Sequence, residues 1–304
     1  MKPLLKKVLI GVGAGVAALA LGVGGYVLVQ TRAFDASMAK VYSTPLPAIN
    51  RSTDPEVIAR GAHLAQSIGG CSANDCHGKD FAGGRLVDVG PVGSFAGPNI
   101  TEGGMLAVYS DAELARLLKT GVKKDSRSVR FMPVQDFHWL PDSDIVAIIS
   151  YLRTVEPSNK ANGTTSIGTL GKVLDRRGEF PWDVARLMET RPKETAPPPS
   201  PTRAYGDFVV RLCTGCHGET LGGGPIPGAP PSLPVPLNIT LHETGIKDYT
   251  YDDFVKVLKT GVRKNGKKLD PFMAVDVTQN FDETELKALW AAISARPPKE
   301  FGAR

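Results

Sequence analysis

The chain has 304 residues, 42% hydrophobic and 22% charged, the make-up of an ordinary globular protein of about two domains. Its formal charge of +5 comes from the N-terminus: residues 1–32 hold Lys2, Lys6, Lys7 and Arg32 and no acid, leaving 32 basic against 31 acidic residues elsewhere. A nearly neutral body excludes bulk nucleic-acid binding, which needs a basic face.

Val8 to Val29 is a run of 22 residues without a charge, preceded by Lys2, Lys6 and Lys7. About 20 apolar residues span a bilayer, and cytoplasmic flanks are rich in lysine. The run is longer than the ~7–15 apolar residues of a secretory signal, and no clean cleavage site follows Tyr26 to Arg32. Residues 1–32 therefore read as an uncleaved membrane anchor, with a cleaved signal as the rival. Both readings export the rest of the chain.

Pro55 to Ile68 has the pattern of a helix, and it leads into Cys71-Ser-Ala-Asn-Asp-Cys76-His77. The second half holds Cys213-Thr-Gly-Cys216-His217 after a shorter helix over Tyr205 to Leu212. These are the only four cysteines. Cys-x-x-Cys-His is the attachment signature of haem c: two thiolates add to the porphyrin vinyl groups and the adjacent imidazole takes the iron. The rival for two Cys/His clusters is a zinc site or a pair of short disulfides. Zinc would pool four ligands, whereas each cluster here sits in its own repeat. The first site carries two extra residues between its thiols. Either the longer loop bulges and both cysteines bond, or Cys76 alone is bonded and Cys71 is free.

The repeat extends well beyond the cysteines. Pro98-Asn99-Ile100-Thr101 matches Leu237-Asn238-Ile239-Thr240, and Leu117 to Val122 matches Val257 to Val262. Lys119 and Lys259 each lie 42 residues after their histidine, and Met132 and Met273 lie 55 and 56 residues after it. Capping boxes open the paired central helices at Ser110/Glu113 and Thr250/Asp253, and Gly121 and Gly261 stop them. A last helix closes each half: Ile145, Ile148, Ile149 and Leu152 share a face in the first, and Asp282/Glu285 caps Leu286, Leu289, Trp290 and Ile293 in the second. No stretch alternates with period 2, so the expectation is mainly α with long loops. Residues 52–155 and 202–296 are the expected domains. Residues 156–201, with Pro192, Pro197, Pro198, Pro199 and Pro201, read as a Pro-rich interdomain linker, in which Glu179 to Met188 is a candidate short helix.

These motifs resemble the monohaem cytochrome c domain used in tandem by bacterial multihaem cytochromes, over about residues 55–155 and 202–296. The nearest likeness is to membrane-bound cytochrome subunits of alcohol, gluconate or aldehyde dehydrogenases, which usually carry three haems where this chain has two sites. The resemblance implies helices wrapped around each haem, the first and last crossing, in two tandem cytochrome c domains after the N-terminal transmembrane helix. It implies two covalent haem c groups held by Cys71, Cys76, Cys213 and Cys216. His77 and His217 would be proximal iron ligands, each held by a backbone carbonyl. Met132 and Met273 would be distal ligands, the second followed by Ala274 where the first has Pro133. His63, His138 and His242 recur at no matched position and read as packing or surface residues.

With His and Met on each iron no coordination position stays open, so the expectation is an electron carrier and not an enzyme; a dihaem peroxidase-like protein is the enzymatic alternative. The chain would carry single electrons on the periplasmic side of the bacterial cytoplasmic membrane, from a dehydrogenase or quinol-linked donor to an acceptor, or serve as the cytochrome subunit of a dehydrogenase. Lys119, Lys123, Lys124, Arg127 and Arg130, with Lys259, Arg263, Lys264, Lys267 and Lys268, form a solvated face or a basic collar that steers an acidic redox partner.

Overall fold

The computed structural model describes residues 3–180, 182–227, 229, 231 and 233–304. Lys2 of the basic flank, and Pro181 within the candidate helix of the linker, lie outside the described residues.

The chain is mainly helical, and its first helix, α1 (Pro3–Ala39), is long and apolar enough to cross a membrane. The uncharged run inside it would measure about 33 Å, close to the ~30 Å of a hydrocarbon core. The helix continues beyond that run, and its last turns dock. Phe34 is buried against Val89, Val92, Leu174 and Trp182, Lys172 pairs with Asp35 at 2.6 Å, and Ser37 donates to Asp183. The irregular segment that follows joins the first half through Tyr42 N–H to the Ser126 carbonyl, 2.8 Å.

Two sets of helices repeat one packing scheme. In the first set, α2 (Pro55–Gln66) starts at Asp54, whose side chain accepts from Glu56 N–H, and crosses α4 (Asp142–Leu152). Between them in sequence, α3 (Asp111–Thr120) has the Ser110/Glu113 capping box and ends at left-handed Gly121. In the second set, α7 (Arg203–Val209) and α8 (Arg211–His217) enter the site, α9 (Tyr251–Thr260) has the Thr250/Asp253 box and left-handed Gly261, and the four-residue turn α10 (Val275–Thr278) precedes α11 (Glu283–Ser294). The crossings are alike in atomic detail. A Cβ on Gly61 would lie 1.9 Å from the Ala147 carbonyl oxygen, and a Cβ on Gly206 would lie 1.9 Å from that of Ala288. Only a glycine lets the two backbones approach this closely.

The segment 156–201, expected to be a Pro-rich linker with a short helix over Glu179 to Met188, has that helix at Val184–Glu189 and more structure besides. Its middle is folded: β3 (Ser166–Ile167) joins β1 (Val87–Asp88) and β2 (Gly93–Phe95) in an antiparallel sheet ordered β1-β2-β3, followed by α5 (Thr169–Arg176) and α6 (Val184–Glu189). Its strands are too short for period-2 alternation to register in the sequence. Trp182, fully buried, packs with Phe95, Phe131 and Phe180. Asp175, also buried, accepts from the Trp182 and Asp183 N–H groups and pairs with Arg186 at 2.7 Å. The proline stretch beyond α6 touches the first half where Ala196 N–H reaches the Trp139 carbonyl at 3.0 Å.

The halves share one continuous apolar core. Trp139 of the first packs at 5.4 Å, tilted, against Phe208 of the second. His63 Nε2 meets Glu285 Oε1 at 2.9 Å, with Asp282 beyond at 3.6 Å. The Glu285 hydrogen bond raises the His63 pKa above its ordinary 6.5, against the lowering effect of burial. This pairing stabilises the fold fully below that ordinary value and is lost as pH rises through the raised one. Unfolding followed from mildly acid to alkaline pH should show this decline, and His63→Gln should flatten it. Gly61→Val and Gly206→Val should each cost about 3 kcal/mol or more, because overpacking here displaces backbone; denaturant midpoints would show it.

Candidate functional site

Each candidate site starts where an entry helix ends. At the first, Cys71 N–H reaches back to the Ala65 carbonyl (2.8 Å), and the chain turns through Cys76 N–H to Ala73 (2.9 Å). His77 N–H then closes on the Cys71 carbonyl at 3.1 Å. At the second site Arg211–His217 is helical, and helical pairing assigns the His217 N–H to the Cys213 carbonyl. The longer first loop therefore exposes Asn74 while keeping Ser72 and Ala73 buried, and histidine and first cysteine keep the same backbone partnership. Gly97 backs this loop so closely that a Cβ would sit 1.5 Å from the Cys76 carbonyl oxygen.

Both histidines are oriented in the same way. His77 Nδ1 bonds the Pro98 carbonyl at 2.8 Å and His217 Nδ1 bonds that of Leu237 at 2.6 Å. A carbonyl only accepts, so Nδ1 carries the proton and Nε2 keeps its lone pair. Burial lowers both pKa values, which favours the neutral ring that can ligate a metal. Burial likewise pushes the thiols up, Cys71 and Cys213 to about 12 and Cys76 to about 11, with Cys216 also raised. All four sulfurs are free of disulfides.

The residue after each of these carbonyls is an asparagine, and its role was not deduced from the sequence. The Asn99 side chain accepts from Thr101 N–H (3.0 Å) and Thr101 Oγ1 (2.8 Å) and donates to the Ser158 carbonyl (2.7 Å). Asn238 does the same with Thr240 (2.9 and 2.8 Å) and the Lys299 carbonyl (2.6 Å). Ser158 and Lys299 lie just beyond the closing helices. Each buried clamp therefore ties the loop that aims the histidine to the end of its own half. The repeated Asn-Ile-Thr was the available signal.

Met132 and Met273 pack against the same apolar core as Cys71 and Cys213. Their loops match: Val134 N–H bonds the Met132 carbonyl at 2.8 Å and Val275 N–H that of Met273 at 2.7 Å. Lys119 Nζ holds the Leu140 carbonyl at 2.8 Å, and Lys259 Nζ holds those of Gln279 and Phe281 at 2.7 and 2.6 Å. These two lysines secure the methionine loops and are not free members of a basic collar. Lys123 pairs with Asp125, and Lys264 with Asp253 at 2.9 Å, which thins the collar further. Of the other histidines, His138 is buried, His63 joins the halves and His242 stays near the surface beside Thr244.

No protein-family model matches the chain. It is similar to the gluconate 2-dehydrogenase cytochrome c subunit of Pantoea cypripedii, 38% identical over 94 residues, which is 28% of this chain and 21% of that protein. It is also similar to the fructose dehydrogenase cytochrome subunit of Gluconobacter japonicus, 31% identical over 116 residues (35% and 24%). A third likeness is to the cytochrome c subunit of a quinone alcohol dehydrogenase of Gluconobacter oxydans, 33% identical over 93 residues (28% and 20%). The aligned parts thus span about a fifth to a quarter of these curated relatives.

Asn99→Ala or Asn238→Ala would leave two or more buried polar groups without partners. Each should lower stability by about 2–3 kcal/mol. Denaturant unfolding would measure the loss, with Thr240→Val expected to follow in the same direction.

Proposed function

We propose that this chain is a membrane-anchored dihaem cytochrome c that carries single electrons from a dehydrogenase, as its cytochrome subunit, to a downstream acceptor. The observation that supports this best is the pair of matched histidines, each directly after a cysteine and each held through Nδ1 by a loop carbonyl. That bond fixes the tautomer and leaves Nε2 for an iron, the usual support of a metal-ligating histidine.

The residues present suit the group. Four unpaired thiols stand in two sets, Cys71 with Cys76 and Cys213 with Cys216, and each could add its S–H across a haem vinyl group, sulfur to one vinyl carbon and hydrogen to the other. His77 and His217 would bind from one side, and Met132 and Met273 would supply thioether sulfur from the other. When bound, haem supplies an iron that changes valence by one electron. The protein's part would be to offer each iron a histidine nitrogen and a methionine sulfur, exclude water with the core residues and keep the potential above that of a His/His site. With both positions filled, no substrate reaches the metal, so the chain itself is a carrier and not a catalyst.

In this reading 52–155 and 202–296 are the two cytochrome domains, 1–32 is the anchor, and the segment 156–201 braces the domains and not merely links them. The haem domains lie in the periplasm, where haem c is attached. The names of the similar proteins favour a dehydrogenase as donor.

Two measurements test the proposal. Redox titration of the purified protein should give two one-electron waves and, when oxidised, the weak charge-transfer band of methionine-ligated haem; high-spin features at rest would sink the carrier reading. Mass spectrometry of the denatured, alkylated protein should find two haems and no alkylated cysteine. The shared His77–Cys71 and His217–Cys213 backbone pairing supports attachment at Cys71; one alkylated thiol there would refute it.

A further inference from the structure

The two methionine loops have nearly one backbone shape but unequal internal support. Pro133 has φ −79° and ψ 58°, and Ala274 has φ −70° and ψ 60°. In the first loop a pyrrolidine ring locks that φ. The preceding Phe131 is also wedged into an aromatic cluster, stacked on Phe180 at 5.1 Å and beside Trp182 at 5.4 Å. The second loop has neither device. Alanine leaves φ free, and Phe272 takes part in no aromatic pair among the described residues.

What the second loop has is the first half. Asp276, three residues after Met273, accepts from the Asn74 backbone N–H at 3.0 Å. Val277 lies against Gly70, and Asn280 Nδ2 donates to the Gln66 carbonyl at 3.1 Å. Arg85 pairs with Asp75 in the same loop. Asn74 lies within the longer stretch of Cys71-x4-Cys76. In the compact second site the corresponding stretch is helical, and its amides serve the helix. The longer loop instead turns one amide outward, onto the other half's carboxylate.

We propose that Asp276 and Asn280 are positioning residues for Met273, and that the longer first attachment loop serves as their dock. The first half thereby completes the iron-ligand loop of the second. This rests on the reading of Met273 as a ligand, and the experiment separates the two ideas.

The test uses the full haem-loaded chain. Exogenous imidazole displaces methionine from ferric haem, and loss of the charge-transfer band reports the displacement. In Asp276→Asn, displacement at one haem should need about tenfold less imidazole, the fold-change expected for losing a charge-assisted hydrogen bond. That haem's potential should fall while the other holds. Asn74→Ala keeps the backbone donor and should behave as the parent; Asn74→Pro removes it and should copy Asp276→Asn. Ala274→Pro fits the observed φ, and the Ala274 N–H donates to no protein acceptor among the described residues; it should restore the Asp276→Asn protein. Unchanged imidazole titration and potentials in Asp276→Asn, with two haems still bound, would overturn the proposal. If instead Met273→Ala leaves the parent band intact, Met273 is not a ligand and the underlying reading fails.

Discussion

Everything at the two candidate sites depends on one buried side chain in each half, Asn99 and Asn238. An imidazole can be aimed only if the carbonyl that fixes its Nδ1 is itself fixed. Pro98 and Leu237, which supply those carbonyls, lie in loops with no regular structure. The asparagine that follows each of them folds its amide back on the threonine two residues on and reaches across to the end of the half. Its side chain satisfies groups that would otherwise be buried without partners, so removing it costs several hydrogen bonds together. The loop is irregular in outline but well determined in energy. That determination passes directly to the histidine ring.

A second layer of support acts at longer range. The glycine–alanine crossings, Gly61 on Ala147 and Gly206 on Ala288, bring entry and closing helices into backbone contact. This sets the distance between the Cys-His segment at the end of one helix and the Asn–Thr clamp at the end of the other. The segment 156–201 does comparable work for the first half. Its Trp182 and Phe180 surround Phe131, the residue before Met132, and its Asp183 receives Ser37 from the end of α1. The long N-terminal helix is thus continuous with the packing that shapes the first methionine loop.

Local chemistry was legible in the sequence, and non-local pairing was not. The capping boxes at Ser110, Thr250 and Asp282 and the left-handed ends at Gly121 and Gly261 lie where their residue types require them, because a cap involves only neighbours. The repeated spacing likewise pointed to Met132 and Met273 as a matched pair. Of the folded middle segment only α6 was foreshadowed, by the candidate helix over Glu179 to Met188; its sheet was not legible because its strands pair with residues some 70 positions earlier, such as Ser94 with Ser166. Lys119 and Lys259 looked like surface charge, since a lysine that caps distant carbonyls has the same local pattern as a solvated one. The asparagines were visible as a repeat, but their partners Ser158 and Lys299 are about 60 residues away in positions of unlike sequence.

The irregular Cys71-x4-Cys76 loop gains a physical role from the same distinction. Taken alone, two extra residues between thiols are a departure that the local backbone absorbs by bulging. Taken with the second half, the bulge is where a free amide meets Asp276, next to a Val277–Gly70 contact and the Asn280–Gln66 bond. Support then runs in one direction along the chain: α1 and the middle segment brace the first methionine loop, and the first half braces the second. A duplicated domain need not keep both copies equally self-sufficient once they share a core. The copy that lost, or never had, its proline can rely on its neighbour, provided the two stay docked. Trp139 against Phe208 and His63 on Glu285 add to that docking, so the geometry of the second site and the integrity of the interface are one constraint.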